Sequence, residues 1–251
     1  MPLTTRPDHV AIAVPDVDKA LTRWQDVLGG RVQWRFHTPT VFRGAAVQFH
    51  NEAFLEILMP SEAEERTRQA GGPSGFVNSF LDRFGANVHH VTLKVPDFDE
   101  ALATLTNEGF DLVDANGEDP HWQEVFLRPS QVGGLVVQVA CTDRSNEDWA
   151  RANGTDVPAP PDGGAHLLGP QLVHDDLDEA RRVWTALGGT VTDSEEGLLV
   201  VWDGEPLTIA IRAGDDRRAV ALRFTGTGPR PSDPALGPPV LASADRPATS
   251  V

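Results

Sequence analysis

The chain of 251 residues contains no tyrosine and a single cysteine, and its basic residues are far outnumbered by acidic ones. Without tyrosine, no phenol group can serve as a catalytic acid or base. The lone Cys141 excludes an internal disulfide and fits a reducing cytosol. The 21 Lys and Arg against 37 Asp and Glu give a formal net charge of −16. Phosphate backbones repel such a chain, so nucleic acid is not an expected partner.

Long apolar runs are also absent. None approaches the roughly 20 residues of a membrane-spanning helix, so we expect no membrane partner. The opening residues lack the basic segment and apolar run of a signal peptide. The sequence therefore predicts a soluble, cytoplasmic protein with one large or two small domains.

What the chain does contain is an internal repeat. "DHVAIAVPDVDKAL" begins at Asp8, and "HHVTLKVPDFDEAL" begins 81 residues later at His89. In each copy a short apolar alternation meets Pro-Asp, and apolar residues then recur at helical spacing. This pattern predicts a strand followed by a helix, with Asp16 and Asp97 as N-caps.

Three further strand-like runs follow each helix. They are "RVQWRF", "AAVQFH" and "AFLEILM" in the first copy, and "FDLVD", "WQEVFLRP" and "GLVVQVA" in the second. Each unit is therefore predicted to be β-α-β-β-β. A worn third copy begins at "GPQLVHDDLDEARRVW", and "RAVALRF" at 218–224 is the start of a fourth copy that then stops.

These patterns predict an α+β protein with four regions. They are a two-module unit over 6–142, a linker over 143–164, a degenerate third module over 165–224, and a Pro-rich tail over 225–251. The linker and tail are rich in Pro, Gly, Ser and Ala. Such a composition buries little apolar surface, so we expect the tail to pack poorly on its own.

Matched histidines begin the two strong copies. Because side chains alternate along a strand, His9 and Ala11 lie on one face of this strand. Val10, Ile12 and Val14 lie on the other face and pack against the helix. His90 occupies the equivalent position in the second copy. His89 precedes that position, so we expect its side chain on the helix side.

A second matched pair lies in the last strand of each copy. Glu56 and Gln138 are lone polar residues in apolar strands, 47 residues after His9 and 48 after His90. A lone polar residue is also typical of a sheet edge or a satisfied core group, but matched positions favour a shared site. His and oxygen ligands suit a divalent ion such as Zn²⁺, Co²⁺, Ni²⁺, Mn²⁺ or Fe²⁺. We therefore predict a metal site of His9, Glu56, His90 and Gln138.

The third copy has lost these residues. Alignment puts Gly169 at the position of His9 and Thr208 at the position of Glu56. We expect no metal there, and interpret this copy as a structural cover or a dimer surface. This copy would complete a sheet either within the chain or with a second copy of the protein, and we favour the homodimer.

The stretches "DHVAIAVPDVDKAL", "HHVTLKVPDFDEA" and "FLRPSQVGGLVVQV" resemble the vicinal oxygen chelate superfamily, in particular its methylmalonyl-CoA epimerase and glyoxalase-like branch. The resemblance implies a cupped, incomplete mixed β-barrel around one divalent metal, bound by His9, Glu56, His90 and Gln138. It covers residues 6–142, and the third module only in degenerate form. The epimerase branch typically has glutamate where this chain has Gln138.

The resemblance implies a metal-dependent isomerase, epimerase or glyoxalase-like lyase acting on a small acyl or ketone substrate. A metal chelated by two neighbouring substrate oxygens would stabilise an enolate, and a base must reach the adjacent carbon. The candidates for that base are Glu56, His50, His121 and Glu124.

Two alternatives belong to other classes. His9, His90 and Glu56 alone form the two-His, one-carboxylate set of non-haem Fe(II) dioxygenases, although a tyrosine-assisted ring cleavage is excluded. Alternatively, the protein binds a small molecule such as an antibiotic without metal, with some of its six tryptophans and eleven phenylalanines lining the cup.

Overall fold

The first two copies of the repeat build one sheet. A computed structural model describes residues 2–38, 40–152, 154 and 161–243. The first module consists of β1 (Arg6–Ala13), α1 (Val17–Leu21) with a π-helical continuation (Thr22–Val27), β2 (Arg31–Thr38), β3 (Phe42–Gln48) and β4 (Phe54–Pro60). Helices α2 (Glu62–Gln69) and α3 (Phe76–Phe84) lead to the second module. It consists of β5 (Asn87–Lys94), α4 (Phe98–Asn107), β6 (Leu112–Asn116), β7 (Gln123–Leu127), α5 (Pro129–Val132) and β8 (Val136–Cys141).

The eight strands lie in the order β2-β3-β4-β1-β5-β8-β7-β6. The two modules meet where β1 pairs with β5 in antiparallel fashion, while β1 with β4 and β5 with β8 are parallel. The side chains of Asp16 and Asp97 accept hydrogen bonds from Lys19 N and Glu100 N, which confirms both as N-caps. The predicted α+β class of paired modules in an incomplete barrel is confirmed.

The two faces of this sheet differ. The apolar core contains Val10, Ile12, Val91 and Leu93, whereas their neighbours in the same strands are absent from it. The face opposite the helices carries His9, Ala11, Glu56, His90, Thr92 and Gln138, and is here called the site face. Alternation therefore separates a packed side from a side that is available for chemistry.

Residues 166–242 form a second sheet. It contains β9 (His166–His174), α7 (Leu177–Ala186), β10 (Thr190–Ser194), β11 (Gly197–Val201), β12 (Ile209–Ala213), β13 (Arg218–Thr225) and β14 (Val240–Ala242), and α6 (Asn146–Ala152) precedes it. The order β10-β11-β12-β9-β13-β14 repeats the first six strands of the first sheet. Strand β13 thus corresponds to β5 and β14 to β8, so the fourth copy keeps its first and last strands.

This arrangement corrects the expectation of a poorly packed tail. Residues 226–243 contain β14, and their backbone carbonyls pair with the first module. The Arg23 guanidinium donates to Pro238 O and Pro231 O at 3.0 and 3.1 Å, and Trp24 Nε1 donates to Leu236 O at 2.7 Å. A sparse apolar content is compensated by bonds to carbonyl oxygens. The rest of the predicted tail, 244–251, lies outside the described residues.

The predicted linker also contains regular structure, because α6 lies within 143–164. Trp149 of α6 contacts Trp122 with ring centroids 5.8 Å apart. Residues 153 and 155–160 of that linker lie outside the described residues. Among the described ranges, no helix combines the length and apolarity that crossing a membrane requires.

The strand register corrects one equivalence in the third module. Ala210 pairs with Gln171 as Glu56 pairs with Ala11, so Ala210 rather than Thr208 takes the place of Glu56. Matching the stretch "PLTIAIRA" to "AFLEILM" by sequence alone placed this position two residues too early. Gly169 does take the place of His9, since it lies opposite Arg223 as His9 lies opposite Thr92.

Both sheets share one core. Phe224 of β13 is fully buried and contacts Trp24 and Phe49 of the first module, with ring centroids 6.1 and 5.0 Å apart. The second sheet therefore packs on the side of the first module that carries α1. The site face lies on the other side.

We expect Phe224→Ala to lower the free energy of unfolding by about 3–5 kcal/mol, because it leaves a cavity where the two sheets meet. Chemical denaturation followed by fluorescence and far-ultraviolet circular dichroism measures this. The control is Phe84→Ala, since Phe84 is half exposed. An equal loss in both variants would contradict a shared core.

Candidate functional site

Three side chains converge on the site face. His9, Glu56 and His90 each offer a ligand atom, and these atoms all lie within 4.8 Å of one another. His9 Nε2 is 3.3 Å from both His90 Nε2 and Glu56 Oε2. The register explains the convergence, because Ala11 lies between Glu56 on β4 and His90 on β5. Because the side chain of Ala11 is small, the space above it is available to the side chains of Glu56 and His90.

Each histidine is held through its other ring nitrogen. His9 Nδ1 is 2.8 Å from Asp8 Oδ2, and Asp8 Oδ1 is 2.6 Å from Lys94 Nζ. His90 Nδ1 is 2.8 Å from His89 Nδ1. Both Nε2 atoms therefore face each other within the site, 3.3 Å apart. Outer hydrogen bonds of this kind orient the histidine ligands of metal sites.

The structure contradicts the expected orientation of His89. A register irregularity interrupts the β1–β5 ladder here, since Ala11 pairs with His90 and Ile12 pairs with Val88. His89 is the extra residue of this bulge, and its ring contacts His90 together with Phe76 and Phe80 of α3. Strict alternation fails at a bulge. His89 therefore supports His90 instead of packing on the helix of its own module.

Gln138 lies beside the three converging side chains and bonds to their neighbours. Its Oε1 accepts a hydrogen bond from Thr92 Oγ1 at 2.5 Å, and Thr92 Oγ1 is 2.9 Å from His9 Nε2. Its Nε2 donates to Glu124 Oε2 at 2.6 Å. Gln138 thus links the histidines to a carboxylate on the next strand. Its role as a metal ligand stays a prediction.

The candidate bases are distributed unevenly. Glu124 belongs to the site network, and its Oε2 also accepts a hydrogen bond from Trp122 Nε1 at 2.7 Å. His121 lies at the protein surface and pairs with Asp143 at 3.0 Å. His50 is exposed at the other end of the first module, where its Nδ1 is 2.7 Å from Pro161 O. His50 and His121 contact other parts of the protein, and we no longer propose either as the base.

Burial and charge act on the site in opposite directions. Burial lowers the pKa of His9, but the carboxylates of Glu56 and Asp8 outweigh it, so the net pKa is raised. Burial raises the pKa of Asp8, yet His9 and Lys94 bring it down to about 2. Burial raises the pKa of Glu56, and it lowers the pKa of His90 well below its usual value. The pKa of His9 is thus shifted upward and that of His90 downward.

The donor set fits a divalent metal ion. Two imidazole nitrogens and a carboxylate oxygen are ligands that Zn²⁺, Co²⁺, Ni²⁺, Mn²⁺ and Fe²⁺ accept. The Nε2 atoms of His9 and His90 approach to 3.3 Å. Two basic nitrogens converge in this way where a shared cation would bind, and the bonds at both Nδ1 atoms are those of supported ligands.

Comparison with known proteins agrees with this geometry. Residues 8–126 match the model of the Glyoxalase/Bleomycin resistance protein/Dioxygenase superfamily. The mitochondrial methylmalonyl-CoA epimerase of Mus musculus is 31% identical over 139 residues, which cover 53% of this chain and 71% of that protein. The chain belongs to this superfamily. The ethylmalonyl-CoA/methylmalonyl-CoA epimerase of Cereibacter sphaeroides is 27% identical over 142 residues, covering 53% of this chain and 96% of that protein.

A likeness in fold extends over both sheets. The crystal structure of a hypothetical protein from Staphylococcus aureus superposes with a TM-score of 0.67 at 11% identity, covering 96% of this chain and 99% of that one. At this identity the likeness concerns the fold alone. Membership of the superfamily, together with the epimerase relatives, supports an enzyme.

Three residues of the site were not among those predicted from the sequence. Asp8, Lys94 and Thr92 join the ligands through hydrogen bonds and an ion pair. The "DH" and "HH" doublets that begin the two copies were a signal for Asp8 and His89. Thr92 and Lys94 lie two and four residues after His90, so strand alternation is a signal that places them on its face, although it does not give their partners.

His89 makes folding sensitive to acid. Burial lowers its pKa to about 4, so between pH 6.5 and 4 the unfolded chain binds a proton that the folded protein does not. Stability contributed by neutral His89 is therefore present above pH 6.5 and lost as the pH falls. With a chelator present to remove metal, the free energy of unfolding of wild type relative to His89→Phe should fall as the pH is lowered from 6.5 to 4. The expected slope is up to about 1.4 kcal/mol per pH unit.

Urea unfolding at half-unit pH steps measures the effect. The matched control is His121→Phe, because the His121 side chain is 44% exposed. Parallel stability curves for wild type and His89→Phe would refute the linkage.

Proposed function

We propose that this protein is a divalent-metal-dependent epimerase or isomerase of 2-substituted acyl thioesters or ketones. Its reaction would resemble that of the methylmalonyl-CoA epimerases to which it is similar. The observation that carries the proposal is the convergence of His9, Glu56 and His90 within 4.8 Å, from strands of two modules. A cytoplasmic location and a homodimer stay predictions.

The residues that would hold the ion are His9, Glu56 and His90, with Gln138 Oε1 as a fourth ligand. A bound divalent ion supplies Lewis-acid stabilisation of the negative charge that develops on a substrate carbonyl oxygen. Thr92 and Asp8 orient the ligands through Gln138 and His9. Lys94 holds Asp8, so the whole set is fixed before substrate arrives.

Proton transfer needs carboxylates within reach of the substrate α-carbon. Glu124 is held on Oε2 by Gln138 and Trp122, and among the described residues none donates to its Oε1. We assign Glu124 the removal of the α-proton, with the electron pair of the C–H bond moving toward the carbonyl oxygen. Glu56 lies on the first-module side and would return a proton to that carbon through the carboxylate oxygen that does not hold the ion. The product differs only in the configuration at that carbon.

The second candidate is a non-haem Fe(II) dioxygenase. The specific observation in its favour is that the three converging side chains are two histidines and one carboxylate. In this alternative Gln138 is not a ligand, which agrees with its Oε1 accepting a hydrogen bond from Thr92 Oγ1. Dioxygen consumption by the iron-loaded protein separates this function from the epimerase.

Metal content tests the ligand set. We expect one divalent ion per wild-type chain by elemental analysis after loading and gel filtration. Substitution of a ligand in His9→Ala or His90→Ala should abolish stoichiometric binding. Asp8→Asn should weaken binding by about 10–100-fold, because it loosens the orientation of His9.

The matched control for the metal experiment is His121→Ala, which removes an exposed histidine away from the ligands. Circular dichroism verifies the fold of each variant. Full metal content in His90→Ala would refute the site. If the wild type holds no metal and His9→Ala binds small ligands as tightly as the wild type does, the protein is a metal-free binding protein.

Solvent deuterium incorporation tests the base. With 2-substituted acyl-CoA substrates and D₂O, Glu124→Gln should slow exchange at the α-carbon by about 10²–10⁴-fold, because the amide cannot accept the proton. Metal content should stay at the wild-type level. Glu118→Gln, an exposed carboxylate in the preceding loop, is the control. Exchange within about threefold of wild type would exclude Glu124 as the base.

A further inference from the structure

The carboxylate of Glu124 is fixed through one of its two oxygens. Glu124 lies opposite Ala140 of β8, and the small alanine leaves the carboxylate room to reach its other neighbours. Its Oε2 accepts hydrogen bonds from Gln138 Nε2 at 2.6 Å and from Trp122 Nε1 at 2.7 Å. Within the described ranges, no group donates to Oε1. The two bonds therefore leave Oε1 as the oxygen that is available to substrate.

The two donors to Glu124 are held differently. The amide of Gln138 is buried, and its Oε1 accepts a hydrogen bond from Thr92 Oγ1 at 2.5 Å. Trp122 lies just before β7 and is partly exposed, so its indole depends on other contacts to stay in place. The terminal torsion of a glutamate side chain has a broad range, so a donor that moved would allow the carboxylate to rotate.

Two contacts hold the indole of Trp122. The ring of Trp149 on α6 meets it edge to face, with ring centroids 5.8 Å apart and an interplanar angle of 80°. The ammonium group of Lys94 lies 5.9 Å from the centroid of the Trp122 ring, within cation–π range. Lys94 also pairs with Asp8 at 2.6 Å. The same lysine therefore contacts both the residue that orients a ligand histidine and the residue that binds Glu124.

The segment before α6 is bonded to the loop that carries Trp122. Thr142 Oγ1 donates to His121 O at 2.6 Å, and Arg144 N donates to Thr142 Oγ1 at 3.1 Å. The guanidinium of Arg144 lies 4.8 Å from the centroid of the Trp149 ring. The segment after β8 and α6 thus form a backing for the indole.

We propose that Trp122, held by Trp149 of α6, is a positioning residue that fixes the Glu124 carboxylate with Oε1 toward the substrate α-carbon. This inference rests on the proposed epimerase function and on Glu124 as its base. Trp122 acts by restricting the torsions of Glu124, so that the base is in place before the C–H bond breaks. Residues that the sequence predicts as a linker thereby contribute to the reaction.

Exchange kinetics test the positioning role. Trp122→Phe keeps the ring and removes the N–H donor. In a panel of 2-substituted acyl-CoA thioesters that includes methylmalonyl-CoA, we expect its kcat for α-deuterium exchange to fall by about 10–100-fold. KM and metal content should stay near the wild-type values, because Trp122 holds the base and neither the ion nor the thioester. Trp202→Phe is the matched control, since Trp202 Nε1 donates to Thr5 Oγ1 at 3.0 Å, outside the site face.

A double-mutant cycle separates positioning from a structural role. Because Trp122 acts through Glu124, Trp122→Phe should have almost no effect on exchange in a chain that already carries Glu124→Gln. A structural role would lower exchange by the same factor in both backgrounds. Trp149→Ala should lower kcat by about 2–10-fold, and Trp149→Phe, which keeps a ring against Trp122, should restore most of it.

The indole N–H resonance of Trp122 gives a readout that does not need turnover. In isotope-labelled protein with a chelator present, heteronuclear NMR assigns this signal by its loss in Trp122→Phe. The signal should move upfield in Glu124→Gln, because a bond to a carboxylate becomes a bond to a neutral amide. It should broaden in Trp149→Ala and stay in place in Trp202→Phe. A signal that is unchanged in Glu124→Gln would contradict the positioning bond.

The failures of the two proposals can be told apart. If Glu124→Gln slows exchange while Trp122→Phe stays within about threefold of wild type, the positioning role is overturned and the epimerase function stands. An equal loss from Trp122→Phe in both backgrounds has the same consequence. If the wild type exchanges none of the thioesters, or Glu124→Gln exchanges as fast as wild type, the proposed function or its base is overturned, and this inference with it.

Discussion

The antiparallel pairing of β1 with β5 is the constraint on which the candidate site depends. His9 lies opposite Thr92 and Ala11 opposite His90, so two modules that are remote in sequence meet with both histidines on one face. The parallel partners β4 and β8 then bring Glu56 and Gln138 to the same face. A slip of one residue in the β1–β5 register would turn one module's ligand toward the helices, because side chains alternate with a period of two.

Periodicity and repetition sufficed to predict most of this arrangement, and the limits of the prediction have physical causes. His9, Glu56 and His90 were found because equivalent strand positions repeat between modules. The orientation of His89 was wrong because a bulge depends on the partner strand. The poorly packed tail was wrong because β14 is three residues long and pairs with β13 across a non-local connection. Composition alone does not report bonds such as those from Arg23 to backbone carbonyls.

The second sheet shows what the fold requires when its ligands are lost. Its strand order still follows that of the first sheet, and Asp176 still caps its helix by accepting from Glu179 N. Gly169 and Ala210 stand where the first sheet has His9 and Glu56. Fully buried Phe224 maintains the packing against Trp24. Caps, alternation and core contacts thus preserve the fold independently of the ligands.

Because the fold does not depend on the ligands, position 138 can hold glutamine where the epimerase branch typically has glutamate. An amide cannot serve as a base, but it can accept from Thr92 and donate to Glu124 at the same time, which a carboxylate cannot. A glutamate at this position would place a further negative charge near Glu124 and Glu56, and burial already raises the pKa of Glu56. With an amide on β8, the carboxylate that the second module contributes is Glu124, on the neighbouring strand β7. There, Glu124 has one oxygen held by two donors, Trp122 Nε1 and Gln138 Nε2.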